Sequence, residues 1–246
     1  MCTVEKHQKE EYYLQNRIKM KKKEYREQIL HTLKEKSSTK QEVYDITYAC
    51  FKEMKHILEQ MADEIAHEMD KYDKRVKVEF FSTGEFEARF KIGGDMLVFH
   101  MHSNIFKIED GHPFYNHEYL KKNDLNSFCG TISIYNFLAD SFKYNRINDS
   151  GYLVSRTFIN KERHFFVEGR RRLSFLFNDF TNAVVDTNKL KDIIESSIIF
   201  ALDFDLQSPK FNSVQRFTVN EMSELSNNLK LSTEKKLGFR FSYEGK

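Results

Sequence analysis

Between Val76 and Met101 the chain is written in twos, and this stretch constrains the fold more than any other. Val76, Val78 and Phe80 alternate with Lys77 and Glu79, and Phe86, Ala88, Phe90 and Ile92 alternate with Glu87, Arg89 and Lys91. A period of two marks strands with one buried face. Gly93-Gly94 is a two-residue hairpin turn, suited to the positive φ angles of type I′. Folding there pairs Phe90 with Leu97, Ala88 with Phe99 and Phe86 with Met101 on the apolar side. The same register sets Glu87 opposite His100 and Glu85 opposite His102 on the other side. A slip of one residue moves both histidines among the phenylalanines, so the pattern specifies its own register. The chain must build an antiparallel sheet.

A second sheet segment runs from Gly151 to Phe180. Its polar turn, Asn160 to Arg163, sets Phe158 opposite Phe165 and Arg156 opposite Val167, with Tyr152, Val154, Phe158, Phe165 and Val167 on one face. Beyond the run Arg170-Arg171-Arg172, the alternation Leu173, Phe175, Phe177 predicts a third strand. Gly130–Leu138 and Phe142–Ile147 are further expected strands, Glu118–Lys122 a short helix, Phe211–Val219 a strand, Glu221–Leu231 a helix, and Leu237–Tyr243 a closing strand.

Helical patterns lie at the two ends. Leu14, Ile18, Tyr25, Ile29 and Leu33 form a thin apolar stripe in an otherwise charged stretch. Residues 5–40 hold eleven lysines and arginines against six glutamates, a net charge of +5. Lys36-Ser37-Ser38 predicts a break, and Thr39 with Glu42 a capping box opening a second helix to about Tyr72. Val43, Ile46, Cys50, Met54, Ile57, Met61, Ile65 and Met69 form its stripe. Asp186 or Thr187 is expected to cap a later helix bearing Leu190, Ile193, Ile194, Ile198 and Leu202. The predicted class is α+β: a long N-terminal helical hairpin, residues 1–72, then a mainly antiparallel sheet domain, residues 73–246, with one or two C-terminal helices.

Composition narrows the compartment and the partners. With two prolines and nine glycines in 246 residues, the chain holds no Pro- or Gly-rich linker. Cys2, Cys50 and Cys129 are odd in number and far apart, which indicates neither a disulfide framework nor a zinc ribbon. The N-terminus is charged from Glu5 onward, so no secretory leader is expected, and the longest apolar run, Ile198–Leu202, is too short for a bilayer. A reducing cytoplasm is the simplest compartment. The overall charge of +2 makes no global case for a polyanion partner, so any such case rests on local clusters.

Two kinds of cluster qualify. His100 and His102 share a strand face with Glu85 and Glu87, and two imidazoles with a carboxylate can hold a divalent metal. Histidines paired with glutamates on a solvated sheet face give the same pattern without any metal. Arg170, Arg171 and Arg172, and Lys235, Lys236 and Arg240, interleave basic charge with phenylalanines, as surfaces that neutralise phosphates do. Asp203 and Asp205 have a magnesium-type spacing but lack a third carboxylate, and Arg26 and His31 fall on different faces of their helix. No Walker loop, GxGxxG, HExxH or hydrolase triad pattern is present.

The expected role is a binding or assembly protein without catalysis. Residues 5–72 would supply self-association or a protein partner, and the sheet domain would recognise a phosphate-bearing ligand, a nucleotide or nucleic acid, with no membrane involved. The competing expectation is a metal-dependent hydrolase, a phosphodiesterase or nuclease, built on the His/Glu cluster.

Overall fold

In the computed structural model, which describes residues 21–169, 172–204, 210–216, 218–220 and 222–223, the alternation about Gly93-Gly94 becomes two strands of a seven-stranded antiparallel sheet. The strands are β1 (Val78–Ser82), β2 (Glu87–Ile92), β3 (Asp95–Met101), β4 (Phe106–Lys107), β5 (Phe128–Leu138), β6 (Tyr152–Asn160) and β7 (Phe165–Gly169). Their order is β1-β2-β3-β5-β6-β7, and β4 pairs with the start of β5. The class is α+β: a long N-terminal helix, then this sheet and a few further helices.

The chain divides into two compact units between Glu42 and Val43. In the first unit, residues 21–32 are helical and Leu33–Ser37 is a π-helical turn, with α1 (Ser38–Tyr72) starting directly behind it. The expected break at Lys36–Ser38 does not form. The Ser38 hydroxyl donates back to the Leu33 carbonyl at 3.3 Å, so the widened turn absorbs the serines and Thr39 lies inside the helix. The long helix therefore replaces the expected hairpin of two.

The second unit is a sheet with its long helices on one face. The α1 residues Cys50, Phe51, Met54, Leu58 and Met61 share one buried cluster with Ala88, Phe90, Leu97, Phe99, Ile132 and Ile134 of the sheet. Helix α5 (Thr187–Leu202) adds Leu190, Ile193, Ile194 and Ile198 to it. Of the two expected caps, it is Asp186 that caps α5, its Oδ1 accepting from the Lys189 N–H at 2.8 Å.

Register decides what the other face carries. The first hairpin pairs Phe90 with Leu97, Ala88 with Phe99 and Glu87 with His100 as expected, though only Gly93, at φ +56°, takes a positive φ, so the turn is not type I′. The second hairpin differs by one residue. Asn160 and His164 close a three-residue loop whose last member, Arg163, sits at φ +63°, so Phe158 faces Phe166 and Arg156 faces Glu168. A register shift between Ile134 and Tyr135 leaves Val154 as an extra residue in β6 and reverses its alternation from there on. Tyr152, Val154, Phe165 and Val167 join the helix side, while Phe158 turns to the opposite face.

Other segments depart from expectation. Leu173 to Phe177 forms α4 (Arg172–Leu176) and not a strand: Leu173 and Phe177 are buried one helical turn apart, and Phe175 is exposed. Spacings of two and four coincide in such a short run, so periodicity alone cannot separate them. Phe142 and Lys143 end a helix, α3 (Ala139–Lys143), where a strand is expected, and Phe211–Val214 is a helical turn, α6. Helix α2 (Glu118–Lys122) forms as predicted. Leu237–Tyr243 and most of Glu221–Leu231 lie outside the described residues.

Candidate functional site

The face of the sheet opposite α1 and α5 carries a polar row running straight across five strands. Cross-strand partners follow one another from Glu87 to His100, Ser133, Arg156 and Glu168. One row below it, His102 donates its backbone N–H to the Thr131 carbonyl at 3.0 Å, and Thr131 faces Phe158, which faces Phe166. Side chains standing two residues apart on neighbouring strands share one surface, so these rows form the floor of a groove.

The wall is the loop from Phe106 to His112, held down by Ile108 and Phe114 against Phe158, Phe166 and Phe180. The groove between floor and wall holds about 390 Å³, in the range of small-ligand sites. Phe158 and Phe166 stack at 4.5 Å with planes 3° apart, and the Arg156 guanidinium lies 4.8 Å over the Phe158 ring. Phe158 and Phe166 are both buried, so this pair is floor and not a platform for a base. Phe106 is the exposed ring of the site, edge-on to His102 at 4.7 Å.

The groove is rich in donors. Arg156 donates from Nε at 3.1 Å and Nη2 at 2.5 Å to a single oxygen of Glu168, and its Nη1 has no protein partner among the described residues. His102 Nδ1 accepts the backbone N–H of Asn104 at 2.9 Å, and His112 Nδ1 accepts that of Phe114 at 3.3 Å. A nitrogen that accepts a hydrogen bond carries no hydrogen, so both neutral rings present an Nε2–H. That suits recognition of an acceptor oxygen. A metal ligand needs a free lone pair on one ring nitrogen, and here Nδ1 accepts a backbone N–H while Nε2 carries the hydrogen.

The residues singled out in the sequence are only partly brought together. His100 does face Glu87, but Oε1 of Glu87 accepts from Arg89 Nε at 2.8 Å and from the Thr83 hydroxyl at 3.0 Å. Glu85 is exposed in the turn before β2, where its carbonyl accepts from Lys55 at 3.2 Å. Among the described residues no three His, Cys, Asp or Glu side chains converge as a metal-holding group. Arg170, Arg171, Lys235, Lys236, Arg240 and Asp205 lie outside the described residues, and Arg172 opens α4. Arg26 and His31 are exposed.

Ser133, Arg156 and Glu168 are the members that sequence reading misses. A signal was present: shifting the second hairpin by one residue places Arg156 opposite Glu168 instead of Val167, and opposite charges across a strand pair favour that register. The neighbour relation of β3 and β5, which brings His100 to Ser133, has no local signal because the whole of residues 102–127 separates the strands in the chain.

No helix among the described residues is long and apolar enough to cross a membrane. Comparison of the chain with models of protein families, with curated proteins and with solved structures finds no match.

Proposed function

We propose that the protein is a non-catalytic binding protein whose open sheet face takes a small phosphate-bearing ligand, of mononucleotide size at most. The observation that carries this reading is the row His100, Ser133, Arg156 and Glu168 set in a groove of about 390 Å³, to which His102 of the floor and His112 of the wall add Nε2–H donors. Arg156 is the anchor: its guanidinium is oriented by Glu168 and keeps donors to spare for a phosphate oxygen. Phe106 offers an exposed ring beside it for the flat part of a ligand. The cavity's size favours a small molecule over an extended nucleic-acid strand. Arg170-Arg171-Arg172, which follow β7 directly in the chain, are a second source of cationic contact. In this reading the N-terminal helical segment serves self-association.

Titration with adenosine monophosphate and with inorganic phosphate, followed by backbone amide spectra, tests the proposal. Shifts centred on Thr131, Ser133 and Arg156 are expected, and Arg156→Gln should weaken binding about tenfold to a hundredfold, the effect of removing a charge-assisted hydrogen bond. Raised salt should weaken binding further. Shifts confined to other parts of the chain, or an Arg156→Gln protein that binds as the parent does, overturn it.

A further inference from the structure

The two outer edges of the sheet are treated differently. At β7 the chain that follows closes the edge: Val167 donates its N–H to the Phe177 carbonyl at 2.9 Å, and Phe165 to that of Ala183 at 3.1 Å. At the other side β1 pairs with β2 alone. The Gly93 N–H bonds the Lys77 carbonyl at 3.0 Å, and bonded residues alternate along an antiparallel ladder. Lys77, Glu79 and Phe81 therefore direct their backbone groups to β2, while Val78, Phe80 and Ser82 turn theirs outward. Among the described residues no strand meets them. Such a row of unpaired N–H and C=O groups is a template for a further strand.

The two sides of this edge are unlike. Val78 and Phe80 belong to the apolar cluster that α1 covers, and Val76 ahead of them is 37% exposed. On the opposite side stand Glu79, which accepts from Lys91 at 2.7 Å, and Phe81, 41% exposed.

Residues 237–243, LGFRFSY, lie outside the described residues, and their sequence carries the complementary pattern. Leu237, Phe239, Phe241 and Tyr243 alternate with Gly238, Arg240 and Ser242. Set antiparallel to β1 with Phe239 opposite Phe80, they place Phe241 opposite Val78 and Tyr243 opposite Val76, which extends the apolar side. The same register sets Arg240 opposite Glu79 and Gly238 opposite Phe81, so opposite charges meet and a ring covers the glycine. Its bonded pairs fall on Val78, Phe80 and Ser82, the residues whose groups point outward. A slip of one residue turns the four apolar side chains to the wrong face, and a slip of two parts Arg240 from Glu79. Parallel pairing can keep those charges together but sets Gly238 beside Lys77 and Phe81 beside Ser242. Residues 203–236 join α5 to this segment, on the order of 100 Å when extended, against a sheet about 25 Å wide. Tethering on one chain favours this occupant over the same segment of a second copy. We propose that residues 237–243 dock on the outer edge of β1 as an antiparallel eighth strand of their own chain's sheet. The contact is independent of the function proposed for the groove.

Paired cysteines test the register. In a Cys2→Ser chain, Phe81→Cys with Gly238→Cys should form a disulfide within one chain in most molecules on mild oxidation, since opposed residues stand in disulfide range. Lys77→Cys with Gly238→Cys should stay largely reduced. Hydrogen exchange tests the contact without new cysteines: the amides of Val78, Phe80 and Ser82 should exchange at least tenfold more slowly in the full chain than in one ending at residue 231. Arg240→Glu should speed them about twofold to fivefold by opposing Glu79 with a like charge. Equal exchange in the full and shortened chains overturns the proposal. So does a disulfide formed only between chains, which would give the edge to a second copy. A disulfide at Lys77 in place of Phe81 overturns the antiparallel register, and if the shortened chain does not fold, the two cysteine pairs decide alone.

Discussion

Cys50 shows how one side chain reports on the core. Its thiol is wholly buried between α1 and the sheet, and burial pushes its pKa up from 9.0 to about 11. The folded state therefore keeps its proton where the unfolded chain has lost it. Stability from this group is fully present below pH 9 and is lost as pH rises towards 11, by about 3 kcal/mol at most. Cys129 and Tyr119 are raised in the same direction, each chiefly by burial, and act in the same alkaline range. Urea midpoints measured from pH 8 to pH 11 should fall steadily above pH 9, and Cys50→Ala should flatten that slope while lowering the starting stability. A midpoint level across the range would mean that the thiol is not held neutral. Read as a sequence, Cys50 is one apolar position in a helical stripe, and only the packing of α1 against the sheet makes it an alkaline liability.

At the scale of elements, legibility follows how local the signal is. The Gly93-Gly94 hairpin and the stripes of α1 and α5 were readable because each is set by spacings within one segment. The exception within α5 is small: Leu202 is half exposed and Ala201 fills the buried position, as a slight rotation of the helix allows. The polar row was half readable, since Glu87 and His100 share a hairpin while Ser133 and Arg156 reach it through a non-local pairing and a bulge. Contact between elements leaves almost no trace in sequence, and Gly130 is the example. It lies on β5 where α1 crosses, and a Cβ there would collide with the Thr47 side chain, whose own Cβ would be 2.7 Å away. Glycine is what lets helix and strand approach. Gly130→Ala should cost about 1–3 kcal/mol through overpacking. Pairing it with Thr47→Ala should recover part of that loss, because the collision is with the threonine's outer atoms as well as its Cβ. Denaturant midpoints of the two single variants and the double variant give the coupling directly. Simple additivity would show that the two elements do not meet there.

For the molecule as a whole, the open question is what covers the helical segment ahead of α1. In the first unit Tyr25, Ile29 and Leu33 recur every fourth residue, each more than half exposed, amid Lys21, Lys22, Lys23 and Arg26. An isolated helix with so thin a stripe is marginal in water and gains stability by pairing its apolar side. Pairing with a second copy buries the same residues from both chains at once, which is how symmetric dimers form. Light scattering should therefore give a mass above that of one chain at micromolar concentration, falling towards one chain on dilution. Ile29→Lys with Leu33→Lys should shift the equilibrium to single chains without lowering the thermal midpoint of the sheet unit, since no residue from 21 to 37 is buried. Added salt discriminates the forces: an association driven by the stripe persists or strengthens at high salt, because the flanking lysines of the two copies repel and that repulsion is screened. A full-length chain that stays single at high micromolar concentration, in both low and high salt, would sink self-association and leave the stripe to a different protein.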